Sequence, residues 1–277
     1  MAGSALPDYE PLLESYHKAF APELEAMVNT LSVAKGDLVL EMACGDGAYT
    51  PWLLAKVGDK GGVVGLDISP DYLALAKSRA SRSGERSEIR FVAASIGHLP
   101  FVEESFDAVW CAQSLFSLPE PVEAVARMAR MVRPGGLVAV LEDDTLHQVL
   151  LPWPIEVELA VRRAEWEALR DDSDHPRKYY VGRRLVGVFR EAGLVDLRVD
   201  AFASTRVAPL DDVARIFASE YLRKLRERVS PRLGPEVSEA FDKLADPGSP
   251  DFLPDQPDLC LTVVDHLIQG RVPAPPP

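Results

Sequence analysis

Apolar residues along this chain alternate between two spacings, and each change of spacing marks a new element. Short continuous apolar runs, bounded by glycine, proline or acidic residues, occur near residues 37–42, 62–67, 88–93, 106–112 and 136–143. Each predicts a strand too apolar on both faces to border water. Between them, residues 48–57, 70–82 and 119–132 carry apolar positions at helical spacing. In the last of these, Val122, Val125, Ala126, Ala129 and Val132 form one stripe, and Pro119 and Pro121 suit the helix start. Strands and helices in alternation predict an α/β fold with a mostly parallel sheet covered on both sides.

The ends and the interruptions have their own patterns. Leu12, Leu13, Tyr16, Phe20, Leu24, Met27, Val28 and Leu31 recur at helical spacing broken at Pro22, which predicts two short helices ahead of the first strand. After the fifth strand the regularity stops: residues 145–180 hold Leu150-Leu151-Pro152-Trp153-Pro154, a charged helix near 155–170 and a polar loop. An insert leaving the carboxyl end of such a sheet is a candidate lid. A helix near 181–192 and a strand at 194–203 follow, then a helical insert at 210–246, a proline-rich loop at 247–257 and a last strand at 259–268. The organisation expected is therefore a helical cap (1–34), a nucleoside-binding core (35–145), a lid insert (146–180), the core continued (181–208), a second helical insert (209–257), a last core strand (258–270) and a disordered tail (271–277).

Composition narrows the classes. With 277 residues and 47% hydrophobic content, the chain can bury one sizeable core with helical additions. A net charge of -13 opposes a nucleic-acid backbone and points away from such a partner. Cys44, Cys111 and Cys260 are too scattered for a zinc site or a disulfide framework, so no metal is expected and a reducing cytoplasm fits. No run approaches the roughly 20 apolar residues that span a bilayer, so the expectation is a soluble protein.

The candidate chemistry begins where the first strand runs into Glu41-Met42-Ala43-Cys44-Gly45-Asp46-Gly47. Gly45 and Gly47 permit positive φ and let a ligand lie against backbone. A second strand ends in Asp67, about twenty residues on, whose carboxylate can accept two hydrogen bonds from a ribose diol. Strand, glycine loop, helix and strand-end acid together predict an adenosine-containing cofactor. Thr50 stands where a dinucleotide loop carries its third glycine, and Glu41 suits a cationic amino group better than a diphosphate. An NAD-dependent oxidoreductase is accordingly the weaker reading.

Further motifs follow in order: Asp67-Ile68-Ser69, Leu99-Pro100-Phe101, Ser105-Phe106-Asp107 and Arg133-Pro134-Gly135-Gly136. With the loop at 41–47, these resemble the class I S-adenosylmethionine-dependent methyltransferases, close to the small-molecule group that includes ubiquinone and menaquinone biosynthesis enzymes. The resemblance covers roughly residues 35–145. It implies a Rossmann-like core, a seven-stranded sheet with an antiparallel last strand, S-adenosylmethionine as cofactor and a small-molecule methyl acceptor. It also implies cofactor contacts at Ala43, in place of the family's first loop glycine, at Ile68, and at Tyr72, where the family often has methionine against adenine. Ser95 takes the position of an aspartate that bonds the adenine amino group, with backbone near Ile96 sharing that contact. Gln113, after the fourth strand, can bond the methionyl part.

Methyl transfer needs positioning more than functional groups, and a base only where the acceptor holds its proton tightly. His147, oriented by Asp144 beyond the fifth strand, is one candidate base; His17 is another, beside Tyr16 in the cap. Trp153 and its apolar neighbours fit an acceptor pocket or a homodimer contact equally well. The absence of D/N-P-P-Y/F after the fourth strand favours a small molecule, with O-methylation ahead of C- or N-methylation. A repurposed fold that binds the cofactor without transferring methyl is the alternative.

Overall fold

The computed structural model describes residues 10–83, 89–118 and 120–274, so Pro119 and the last three residues of the expected tail lie outside it. Two helices come first, α1 (Glu10–Ala19) and α2 (Ala21–Asn29), with Pro22 in the first turn of α2. The core follows as β1 (Leu38–Met42), α3 (Thr50–Val57), β2 (Gly62–Asp67), α4 (Pro70–Ser83), β3 (Ile89–Ala93), β4 (Phe106–Ala112), α5 (Pro121–Met131) and β5 (Val132–Glu142). Then come β6 (Val149–Leu150), α6 (Ile155–Asp171), α7 (Leu185–Glu191), β7 (Val195–Val207), α8 (Asp212–Val229), α9 (Pro235–Ala245) and β8 (Cys260–Arg271). Asp211 caps α8 by accepting the Ala214 amide at 2.8 Å.

The sheet runs β3-β2-β1-β4-β5-β8, with β7 on the far side of β8. From β3 to β5 every pairing is parallel, and β8 is antiparallel to both β5 and β7. This is the expected seven-stranded plan with one addition: the two-residue β6, inside the expected lid, pairs with Val263 and Thr262 of β8. Strand order reverses between β2 and β4 on either side of β1, which opens a crevice at the carboxyl ends of β1 and β4.

Two sequence signals meet underneath the sheet. Asp107 accepts the Leu38 amide at 2.7 Å and pairs with Arg133, tying the starts of β1, β4 and β5 together. At Gly136 a Cβ would come within 2.6 Å of the Asp107 carbonyl, so only glycine lets β5 pass there. The strand consequently begins at Val132, four residues ahead of the expected start, and takes the Arg-Pro-Gly-Gly segment with it.

Each face of the sheet has its own core. One face packs Leu40, Met42, Val109 and Val140 against α5 and α7. The other packs Trp110, Leu141 and Leu267 under α1, α2, α3, α6, α8 and α9, and is rich in aromatics: Tyr16, Phe20, Phe217 and Phe241. Each such ring, once buried, contributes about 1.5–3 kcal/mol. The expected lid is built into this second core. Trp153 is buried against Phe241, and Val157, Val161 and Ala164 of α6 are core residues. Likewise Arg271, expected in a disordered tail, is the last residue of β8.

Candidate active site

β1 delivers Glu41 to the crevice, and the chain then turns through three left-handed residues, Ala43 (φ 54), Gly45 (φ 52) and Gly47 (φ 74). The two glycines serve different ends. A Cβ on Gly45 would meet nothing within 4 Å, so backbone there faces open space. A Cβ on Gly47 would lie 3.1 Å from Ala76 and 3.2 Å from Thr50 Oγ1, so this glycine lets α4 close on the start of α3. Ala43 bears the left-handed strain of an L-residue, about 1–2 kcal/mol. Gly45 N donates to Asp67 Oδ2 at 2.9 Å and Ser69 N to Oδ1 at 2.8 Å, which fixes both carboxylate oxygens at the end of β2. Glu41 is fully enclosed, accepts from the Thr50 hydroxyl, and is pushed up to about 8 by burial.

These groups line one side of a cavity of about 290 Å³. Tyr72 and Gln113 join them from the core, Tyr16 and His17 from α1, Gln148 from the segment after β5, Glu165 from α6, and Phe217 and Tyr221 from α8. His17 latches the cap to the core: its Nε2 lies 3.3 Å from Gln113 Oε1, an acceptor that also receives the Tyr49 hydroxyl at 3.3 Å. Because that oxygen accepts, the imidazole carries its proton on Nε2 and leaves Nδ1 bare, buried and without a partner. Burial lowers the His17 pKa to about 4, so the ring is neutral at pH 7.

A second concentration of acids sits at the end of β5. Glu142 Oε1 accepts the Ser114 amide at 2.8 Å and that of Leu115, while Oε2 is buried without a partner, and burial pushes the group up to about 8. Asp143 lines the cavity and is driven well above the usual carboxylate range by burial, then by Glu142, Asp265 and Asp144. Burial likewise raises Asp265, in the middle of β8, to about 7.

Residues 40–140 match the family described as a methyltransferase domain. The chain is 31% identical over 191 residues to a demethylmenaquinone methyltransferase of Staphylococcus epidermidis, an alignment covering 64% of this chain and 75% of that one. It belongs to the class I S-adenosylmethionine-dependent methyltransferases. Methyltransferase GfsG of Streptomyces halstedii is 33% identical over 118 residues, 43% of this chain but only 42% of that protein, so the chain matches less than half of that relative. A solved SAM-dependent methyltransferase from Aquifex aeolicus shares the fold at a TM-score of 0.51 and 19% identity, over 70% of this chain and 91% of its own. Membership of this family sets aside the oxidoreductase reading.

The geometry suits the methyltransferase cofactor on three counts. Open space lies beside Gly45, a doubly anchored carboxylate stands at the end of β2, and a buried acid without a protein cation stands at the end of β1. Other expected positions lie elsewhere. Gly47 is a helix-packing residue, and Ile68 is 72% exposed. Ser95 and Ile96 lie outside the cavity wall, where Ser95 Oγ accepts the Gly97 amide at 3.1 Å. Trp153 is a core residue. His147 is half exposed and off the wall; Asp144, expected to orient it, does lie 3.5 Å from its Nδ1, but it is also ion-paired to Arg183, whose Nη2 lies 3.1 Å from the same nitrogen. That displaces the expected base from the cavity. The physical reason is that β5 ends at Glu142 and the following turn carries His147 outward to Arg183, just ahead of α7.

Tyr49, Asp143, Glu165, Phe217 and Tyr221 line the cavity without having been singled out, and Asp265 lies behind Tyr16. Asp265 had a legible signal: it interrupts the inward alternation of Leu261, Val263 and Leu267. The aromatic pair on α8 had none, being indistinguishable from core spacing.

Proposed function

We propose that the protein methylates a hydroxyl of a small molecule held between the core and the helical cap. The observation that carries this reading is the cavity itself, walled on one side by the Gly45 loop and Asp67 and on the other by Tyr16, His17 and Phe217. Bound S-adenosylmethionine would supply a sulfonium methyl, to which the acceptor oxygen bonds in line as the methyl–sulfur bond breaks and S-adenosylhomocysteine is released. Asp67 accepts from the ribose hydroxyls, Glu41 and the backbone at Ala43 and Gly45 receive the amino acid end, and Gln113 bonds it from β4. Tyr72, on the cavity wall, lies along adenine.

His17, not His147, is the base in this reading. Its bare Nδ1 is enclosed beside the cavity and can accept a hydroxyl proton, while Gln113 holds the ring in the tautomer required. Residues 146–180 and 209–257 shape the acceptor end through Glu165, Phe217 and Tyr221, and the described part of the cap closes it through Tyr16 and His17. Supporting a small acceptor over nucleic acid are the net charge of -13 and the acid-lined wall. Among the described residues no helix is long and apolar enough to cross a membrane, and all three cysteines are free, which fits work in the cytoplasm.

Calorimetric titration with S-adenosylmethionine, S-adenosylhomocysteine and NAD tests the cofactor half. Binding of the two sulfur nucleosides alone is expected. A screen of phenols, alcohols and amines, read as S-adenosylhomocysteine released, tests the acceptor half. Turnover confined to carbon or nitrogen nucleophiles would overturn the hydroxyl assignment.

A further inference from the structure

The antiparallel part of the sheet sets two carboxyl groups face to face in a wall that is otherwise apolar. On β8, Leu261, Val263, Asp265 and Leu267 alternate inward, and all but the aspartate belong to the aromatic core. The register pairs Leu141 with Leu267 and Glu142 with His266. One step further brings Asp143 across from Asp265, on the face of Leu141. Like charges directly opposed across an antiparallel pair are unfavourable, and more so out of water. Asp143 is 8% exposed and Asp265 1%.

Neither acid is paired with a cation among the described residues. Among the described residues the Asp143 side chain has no hydrogen bond or ion pair, yet it forms part of the cavity wall. The Tyr16 hydroxyl, on a residue 3% exposed at the same wall, faces Asp265, whose Oδ1 is buried without a partner among the described residues. Arg228, the one lysine or arginine on the wall among the described residues, is bound to Glu165 at 2.9 Å. Arg183 holds Asp144 and Arg79 holds Asp46. Beside the unanswered set, the rings of Tyr16 and Phe217, with centroids 5.9 Å apart, offer aromatic faces of the kind that favour a cation.

We propose that Asp143, with Tyr16 and Asp265 behind it, is an ammonium subsite, so that the methyl acceptor is a small molecule bearing an amino group. The inference rests on the methyl-transfer reading above and narrows its acceptor class. An ammonium donates hydrogen bonds to the carboxylate and neutralises the opposed pair, which a neutral acceptor cannot do. The cofactor's own amino group has Glu41, two strands away across β4, as its acid.

Benzylamine and benzyl alcohol, matched in size and differing in charge, are the probes. Their affinities for the wild-type protein are measured by saturation-transfer NMR, with and without S-adenosylhomocysteine, whose own binding is followed by calorimetry. Benzylamine is expected to bind about 10-fold or more tightly than the alcohol, as hydrogen bonds to charged groups do. Asp143→Asn should bring that ratio to about 1 while S-adenosylhomocysteine affinity stays within about 2-fold. Equal affinities in the wild type would overturn the subsite, as would a preference that survives Asp143→Asn. A loss of S-adenosylhomocysteine binding that parallels the loss of benzylamine would also overturn it, by making Asp143 a cofactor residue. Should Asp143→Asn fail to fold, the wild-type ratio and its reduction in Tyr16→Phe decide. Absence of S-adenosylhomocysteine binding in the wild type would sink the methyl-transfer reading, and the ratio measured without it would still report on the ammonium subsite.

Discussion

Two acids close the ends of strands in this protein, and they are treated in opposite ways. Asp67, at the end of β2, receives two backbone amides, from Gly45 and Ser69. Asp143, just beyond the end of β5, receives nothing and faces a second acid across the sheet. A carboxylate with backbone donors is already stabilised as an anion and can accept further hydrogen bonds from a neutral polyol. One without donors lacks a counter-charge until a ligand brings it. The comparison teaches that the cavity has a neutral-binding end built by the loop and a cation-seeking end built by sheet register.

The largest expected effect falls at the loop end. Asp67→Ala removes the acceptor for the ribose diol and frees the Gly45 amide, so S-adenosylhomocysteine binding should weaken by about 100-fold or more in calorimetry. An unchanged dissociation constant would break the comparison by removing the ribose from Asp67. Next comes the histidine contrast: His17→Ala should lower kcat by about 100-fold with the acceptor found in the screen, against less than about 2-fold for His147→Ala. Equal losses would return His147 to the chemistry.

A smaller, pH-dependent effect belongs to the cation-seeking end. Asp143 is raised in the folded state, so its fold binds a proton more readily than the unfolded chain does. The stability tied to that proton is complete below the unfolded aspartate range and is lost as pH rises through the folded pKa. Asp143→Asn carries no such dependence. Its melting temperature should exceed the wild type's by about 2–4 °C at pH 8, a gain of about 1 kcal/mol, and the gap should close toward pH 4. A constant gap across that range would point to packing instead of charge. The smallest effect is at the loop itself, where Ala43→Gly relieves left-handed strain and should raise the melting temperature by about 2 °C at every pH.

How far the sequence could be read differs between the same two ends. The loop end was legible because its parts are contiguous or recur at fixed separations: Glu41 to Gly47 is one run, and Asp67 ends the next strand. Local backbone demands, positive φ at Gly45 above all, leave a mark in residue type. The acid end was not, because Asp143 and Asp265 are far apart in the chain and become neighbours only through antiparallel register. His147 illustrates the converse error: its pairing with Asp144 does form, at 3.5 Å, but with Arg183 as a third member and off the cavity wall.

By itself, then, the order of apolar and polar residues determined the alternation of strands and helices, the switch-point crevice and the glycine-loop side of the cavity. Those depend on periodicity and on conformations that few residue types tolerate, both of which are written locally. Only the tertiary structure decided that the expected lid is part of the core, that His17 and not His147 reaches the cavity, and that two aspartates oppose each other across β5 and β8. Those depend on which distant segments come to lie together, and a side chain carries no local trace of the partner it will meet across a sheet.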